Sequence, residues 1–131
     1  MIEPYRSVIK RLRGAIKRED ADDATAAAEL LLPIRDTIRI EAQAPVLYYR
    51  NDEATRSQCT AMSIHRLYVG QEKVGEWMRQ SIGGYGLDLN HPCTWAAVAI
   101  DPSLSRYEIV VKPVLKVLGL VDHAPAIPEP K

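Results

Sequence analysis

The chain has 131 residues, of which 47% are hydrophobic and 26% are charged, as in an ordinary globular domain. Its 17 Lys and Arg balance 17 Asp and Glu, so any binding to nucleic acid or acidic lipid must come from a local patch. No apolar run approaches the roughly 20 residues of a membrane helix, and two cysteines are too few for a disulfide framework.

The N-terminal third predicts a hairpin of two helices. Pro4 suits the first position of a helix over residues 4–18, and the apolar residues that follow share one helical face. A second helix is predicted over residues 23–38, with Asp22 or Asp23 as its N-cap. Pro33 predicts either a kink or two short helices that meet at Leu32. Residues 37–41 alternate in polarity and are also compatible with an extended segment.

The first helix carries a basic face formed by Arg6, Lys10, Arg13 and Lys17. One-sided positive charge at helical spacing can follow the phosphates of a nucleic acid. A solvated surface explains the same spacing, and an acidic turn follows immediately. Nucleic acid is therefore the partner in the alternative function that the sequence suggests.

The stretch over residues 54–82 is predicted to lie at the centre of the molecule as two helices separated by Gly70. In its second half Val74, Trp77, Met78 and Ile82 recur at helical spacing, and the Gly83–Gly84 pair suits a helix end. Before this stretch, residues 46–49 are β-prone and predict a strand.

The C-terminal third predicts two antiparallel strands, over residues 94–100 and 107–112, joined by a turn at Asp101 and Pro102. Residues 113–118 fit either a last helix or a strand, and Gly119 ends them. Together these elements predict an α+β fold, with an N-terminal helical hairpin and two central helices packed on a small antiparallel sheet. Residues 1–123 form the single domain and residues 124–131 a Pro-rich extended tail.

Cys59, His65, His91 and Cys93 are the residue types that bind zinc or form a thiolate–imidazole pair. Their spacings do not match zinc loops, and no nucleophile motif accompanies either cysteine. Buried thiols and ordinary imidazoles are the more common explanation of such residues. We therefore predict no metal, no cofactor and no catalytic residue, while convergence of the four side chains remains open.

The sequence favours a non-enzymatic interaction or assembly protein that acts as a homo-oligomer or as a subunit of a larger complex. Its partner would be a second copy or another protein, and without a secretory signal order at the N-terminus we expect a cytoplasmic location. The alternative is a small nucleic-acid-binding regulator that uses the basic face. Aromatic residues and arginine are enriched at protein interfaces, and the candidates for an interface or ligand site are Tyr48, Arg50, Arg66, Trp77 and Tyr85.

Overall fold

A computed structural model describes the backbone of residues 2–43, 46–50, 58–84 and 103–125, and the side chains of residues 2–43, 61–80 and 103–125. The described residues combine helices with one antiparallel sheet, which confirms the predicted α+β class. The elements in chain order are a 3-10 turn Glu3–Tyr5, α1 Arg6–Lys17, α2 Ala21–Leu30, a 3-10 helix Leu32–Thr37, β1 Ile38–Ala42, β2 Val46–Arg50, β3 Gln58–Val69, β4 Glu72–Gly84, a π-helical turn Tyr107–Val111 and α3 Lys112–Leu118.

The predicted N-terminal helical hairpin is present as α1 and α2, but its cap differs from the prediction. Glu19 has a φ of 57°, which turns the chain directly after α1. Asp20 is then extended, and its carboxylate accepts a hydrogen bond from the backbone N–H of Asp23 at 3.1 Å. The N-cap is therefore Asp20, and the prediction of Asp22 or Asp23 is wrong because the turn is shorter than assumed.

The predicted second helix divides at Pro33 into two short helices, as one of the two alternatives expected. α2 ends at Leu30 and a 3-10 helix begins at Leu32, because proline lacks the N–H that would continue the α-helical pattern. Ile38 is already extended and starts β1, which confirms the extended alternative at the end of this region.

The central stretch forms two strands, so the prediction of two central helices is wrong. β3 and β4 form an antiparallel hairpin around Gly70 and Gln71, with Gly70 at a φ of 60°. Over residues 61–69 of β3, burial alternates residue by residue, with a period of two that a helix cannot produce. The inward residues of β3 are Ala61, Ser63, His65, Leu67 and Val69.

A polar segment of the inner face explains why the sequence of this strand predicted a helix. Ser63 and His65 are buried, whereas Met62 and Ile64 point to the opposite face and are only partly buried. Hydrophobicity therefore does not alternate along β3 even though burial does. The Gly83–Gly84 pair ends β4 and caps no helix.

β3 lies in the middle of the sheet. β4 pairs along one edge of it, and β1 and β2 follow one another along the other edge. The strand predicted at residues 46–49 is thus confirmed as β2. In β4 a bulge turns both Val74 and Gly75 inward. A Cβ on Gly75 would lie 3.2 Å from Cδ1 of Ile16, so glycine allows α1 to pack closely on the sheet.

The residues predicted as a last strand, 107–112, form a π-helical turn that runs into α3, so this prediction is wrong. The valines that suggested a strand recur at helical spacing, and Val110, Val111 and Val114 are buried. The helical alternative for residues 113–118 is confirmed, and Gly119 ends α3 with a φ of 69°. The strand predicted at residues 94–100 and most of the predicted tail lie outside the described residues.

The core lies between the three helices and the inner face of the sheet. Trp77 is its largest fully buried side chain. The described part of the central stretch thus contributes Leu67, Val69, Val74 and Trp77 to the core, although as strands. The other large, fully buried members include Ile9, Leu12, Leu31, Leu67, Val110, Val114 and Leu118.

Candidate functional sites

A buried hydroxyl, imidazole and carboxylate meet at the inner face of the sheet. Ser63 and His65 are two apart on β3, so their side chains lie side by side on one face. The Oγ of Ser63 is 2.6 Å from Nε2 of His65. The other ring nitrogen, Nδ1, lies 2.5 Å from Oδ1 of Asp122, which follows α3. We call these three residues the polar triad.

The carboxylate of the polar triad is held by two further side chains. Asp122 accepts a hydrogen bond from Nε1 of Trp77 at 2.9 Å, and Nε of Arg79 lies 3.6 Å from the same oxygen, Oδ2. The guanidinium of Arg79 also stacks over the ring of Tyr107 at 3.8 Å. Only 2% of the Asp122 side chain is exposed, so the carboxylate depends on these partners in place of water.

The hydrogen bonds determine which ring nitrogen of His65 carries the proton. An ionised carboxylate only accepts hydrogen bonds, so the nitrogen facing Asp122, Nδ1, carries the proton. Nε2 is then an acceptor and receives the hydroxyl proton of Ser63. A neutral imidazole in this tautomer beside a hydroxyl is the arrangement of a general base and a nucleophile.

The structure joins His65 to Ser63 and Asp122, neither of which was a candidate in the sequence. Of the residues that the sequence grouped with His65, Cys59 is described only by its backbone, and His91 and Cys93 lie outside the described residues, so convergence of the four side chains stays open. Within the described ranges no three His, Cys, Asp or Glu residues are placed to hold a metal. Ser63 and His65 become a visible pair only once β3 is known to be a strand, because i and i+2 diverge on a helix.

The basic face of α1 is divided into a neutralised and an unpaired part. Arg6 binds Glu3 at 2.8 Å and Glu72 at 3.1 Å. The hydrogen bond and positive charge of Arg6 lower the pKa of Glu3 from its usual value. In the described part of the chain, Lys10, Arg13 and Lys17 are exposed and form no ion pair.

Two of these unpaired cations line a cleft between α1 and β4, which we call the basic cleft. Arg13 and Lys17 face Lys73 across a space of about 220 Å³. The lining carboxylate, Glu76, is bound by Arg66 at 2.7 Å and approached by Lys73 at 3.7 Å. The basic cleft is therefore lined by three cations and one carboxylate, and that carboxylate is already paired with Arg66 and Lys73. The other lining residues are Ile16, Val74, Gly75, Ser103 and Ser105.

Among the side chains that the structure describes, the outer face of the sheet carries the partly exposed apolar residues Met62, Ile64 and Met78, which we call the outer patch. Ile64 and Met78 are directly paired across β3 and β4, and Met62 is the next outward residue of β3. The patch is bordered by the ion pair of Arg66 with Glu76 at 2.7 Å.

The predicted interface candidates fall in three different places. Arg66 borders the outer patch, whereas Trp77 lies in the core with no exposed surface. Tyr48 and Arg50 belong to β2, where only the backbone is described, and Tyr85 lies outside the described residues. The structure does not bring Arg66 and Trp77 together, because they point to opposite faces of the sheet.

The fold and these three sites define an α+β protein with a helix-covered sheet, a buried polar triad and an outward apolar patch. Comparisons with protein-family models, curated proteins and solved structures found no match. None of the described helices has the length and apolar character to cross a membrane. The function must therefore be argued from the residues of this chain.

Proposed function

We propose that this protein is an interaction or assembly protein, acting as a homo-oligomer or as a subunit of a larger complex, and that the outer patch is its contact surface. The observation that carries the proposal is the partial exposure of Met62, Ile64 and Met78 as adjacent residues on the outward face of β3 and β4. Adjoining exposed apolar side chains with a polar border are typical of protein interaction sites.

The composition of this face supports the same function. Methionine, tyrosine and arginine are enriched in interfaces, and methionine adapts its shape to different partners. Around the patch, the guanidinium of Arg39 lies 4.9 Å from the centre of the Tyr68 ring. The face thus has an apolar centre and a border of aromatic and charged groups, as protein interfaces do.

The test is a charge placed in the outer patch. The side chain of residue 64 points outward, so Ile64→Lys should leave the core intact. A lysine charge that becomes buried in the interface would oppose association. Sedimentation analysis of the wild-type chain should show an oligomer, and the variant should dissociate at least about tenfold more readily, which corresponds to about 1.4 kcal/mol.

The matched control is Leu30→Lys. Leu30 is 51% exposed and belongs to α2, in the helical layer, so the same kind of change should leave the oligomer intact. A wild-type chain that stays monomeric at high concentration would contradict self-assembly. An oligomer that resists Ile64→Lys would contradict the role of the outer patch.

The alternative is a small nucleic-acid-binding regulator, and the basic cleft favours it. Arg13, Lys17 and Lys73 concentrate positive charge at one place on a chain of zero net charge. In a plot of the logarithm of the binding constant against the logarithm of the salt concentration, the slope should decrease by about one unit for each phosphate-contacting cation that is removed. Arg13→Ala should therefore reduce the slope, and Arg6→Ala should not, because Glu3 and Glu72 already neutralise Arg6. Absence of DNA and RNA binding at low salt would refute this function.

A further inference from the structure

We infer that Ser63 is an activated nucleophile and that the polar triad hydrolyses small activated esters through an acyl group carried on Ser63. This activity goes beyond the proposed function and uses the opposite face of the same strands. A positive result would contradict the expectation, drawn from the sequence, of a non-enzymatic protein. It would leave the assembly role untouched, because Ile64 and Ser63 point to opposite faces of β3.

The first support is the geometry around the hydroxyl. A serine reacts when a base within about 2.6–3.2 Å accepts its proton, and that base is effective when a third group orients it. Here the Oγ to Nε2 distance is 2.6 Å and the Nδ1 to Oδ1 distance is 2.5 Å. Both requirements are met by Ser63, His65 and Asp122.

The second support is the way the carboxylate is held. Trp77 donates a hydrogen bond to Oδ2 of Asp122, which leaves Oδ1 to accept from His65. Nε of Arg79 also lies 3.6 Å from Oδ2 of Asp122. Asp122, Trp77 and Arg79 are thus positioning residues that keep the imidazole in the tautomer required by a general base.

The reaction has two steps that balance. In the first, Nε2 of His65 takes the proton of Ser63 as Oγ bonds to the acyl carbon. The bond from that carbon to the leaving oxygen then breaks, and the leaving oxygen receives the proton. In the second, Nε2 takes a proton from water, the resulting hydroxide attacks the acyl carbon, and Ser63 recovers its proton as the acid departs.

Access limits the substrate class. Ser63 is 5% exposed and His65 is 3% exposed, so a substrate has to be small to reach the hydroxyl. Arg79 is the residue paired with Ser63 across β3 and β4, and 19% of its side chain is exposed. Its guanidinium lies beside Asp122 and over the ring of Tyr107, so it acts on the reaction through that carboxylate.

The decisive experiment treats the full-length folded chain with a small alkyl fluorophosphonate and locates the adduct by tandem mass spectrometry. We expect one adduct, on Ser63, and none in Ser63→Ala. The matched control is Ser105→Ala, since Ser105 is also a buried serine but donates to the backbone oxygen of Ile16 at 3.0 Å. This control should be labelled like the wild type.

A second measurement distinguishes a catalytic role of the polar triad from a purely structural one. Hydrolysis of p-nitrophenyl acetate should fall by at least about 100-fold in Asp122→Asn, a typical effect of losing general-base catalysis. A folded wild-type chain that gives no Ser63 adduct, or an adduct elsewhere only, overturns the inference whatever the variants do. Equal hydrolysis by folded wild type and Ser63→Ala would also overturn it.

Discussion

Replacing Asp122 by alanine should destabilise the fold more than any surface substitution of a charged residue. Asp122 is the group through which the segment after α3 is attached to the sheet, since His65 of β3 and Trp77 of β4 both donate hydrogen bonds to it. Alanine removes the acceptor of both donors. Nδ1 of His65 and Nε1 of Trp77 are then buried N–H groups without their partner.

The expected cost can be worked out from those two donors. Each buried polar group that loses its partner costs about 1–3 kcal/mol, so two of them give about 2–6 kcal/mol. Arg79 also loses its ion pair at 3.6 Å but retains its stacking on Tyr107. Removing one member of a buried charged pair typically costs about 3–5 kcal/mol, which agrees with that range. A domain of ordinary stability has only about 5–15 kcal/mol in total.

Urea unfolding followed by both tryptophan fluorescence and far-ultraviolet circular dichroism measures this loss and tests for two-state behaviour. Glu108→Ala is the control, because Glu108 pairs with Lys112 at 3.3 Å on the surface and should change stability by less than about 1 kcal/mol. A loss below about 1 kcal/mol for Asp122→Ala would refute the argument, since it is below the cost of even one unpaired donor.

Two further predictions concern α1, α3 and the N-terminus. Gly119→Ala should cost about 1 kcal/mol in urea unfolding, because the φ of 69° is unfavourable for a side chain and Arg35 lies 3.2 Å from the new Cβ. Gly14→Ala, inside α1, should instead stabilise by about 0.5–1 kcal/mol, because the atom nearest its new Cβ is Nη1 of Arg18 at 3.1 Å, the end of a side chain that is 60% exposed and can move aside; equal signs for the two variants would contradict this. Glu3 should titrate below its usual pKa in NMR, because Arg6 hydrogen-bonds and attracts its charged form. The small stabilisation is present above the unfolded-state pKa and is lost as pH falls through the lower folded-state pKa, and Arg6→Ala should move the midpoint upward.

The helices at both ends of the chain could be predicted because their apolar residues mark one continuous face. Ile9, Leu12 and Ile16 follow the helical period without interruption and are buried. The C-terminal helix was less clear, since Val110, Val111 and Val114 combine β-branched side chains with helical spacing. Burial against α2 and the sheet decides in favour of the helix, and tertiary packing of this kind routinely overrides propensity.

The central hairpin could not be predicted for a reason tied to the polar triad. A strand with one buried face is recognised by alternating polarity. β3 does not show this alternation, because its buried residues Ser63 and His65 are polar. The polarity of these two residues matches Asp122, which lies far along the chain and meets them only in the folded structure. No local pattern contains that information.

This failure of the pattern bears on function. Burying Ser63 and His65 in place of two apolar residues weakens the core unless every polar atom finds a partner. The structure satisfies them through Asp122, Trp77 and Arg79, so the fold requires several coordinated residues where valine and leucine would have been sufficient. Positions at which a sequence departs from simple patterning while the surroundings compensate are where functional sites are expected. The helices of this protein follow the patterning rules, and the departure at β3 is concentrated on the side chains that form a general base and a nucleophile.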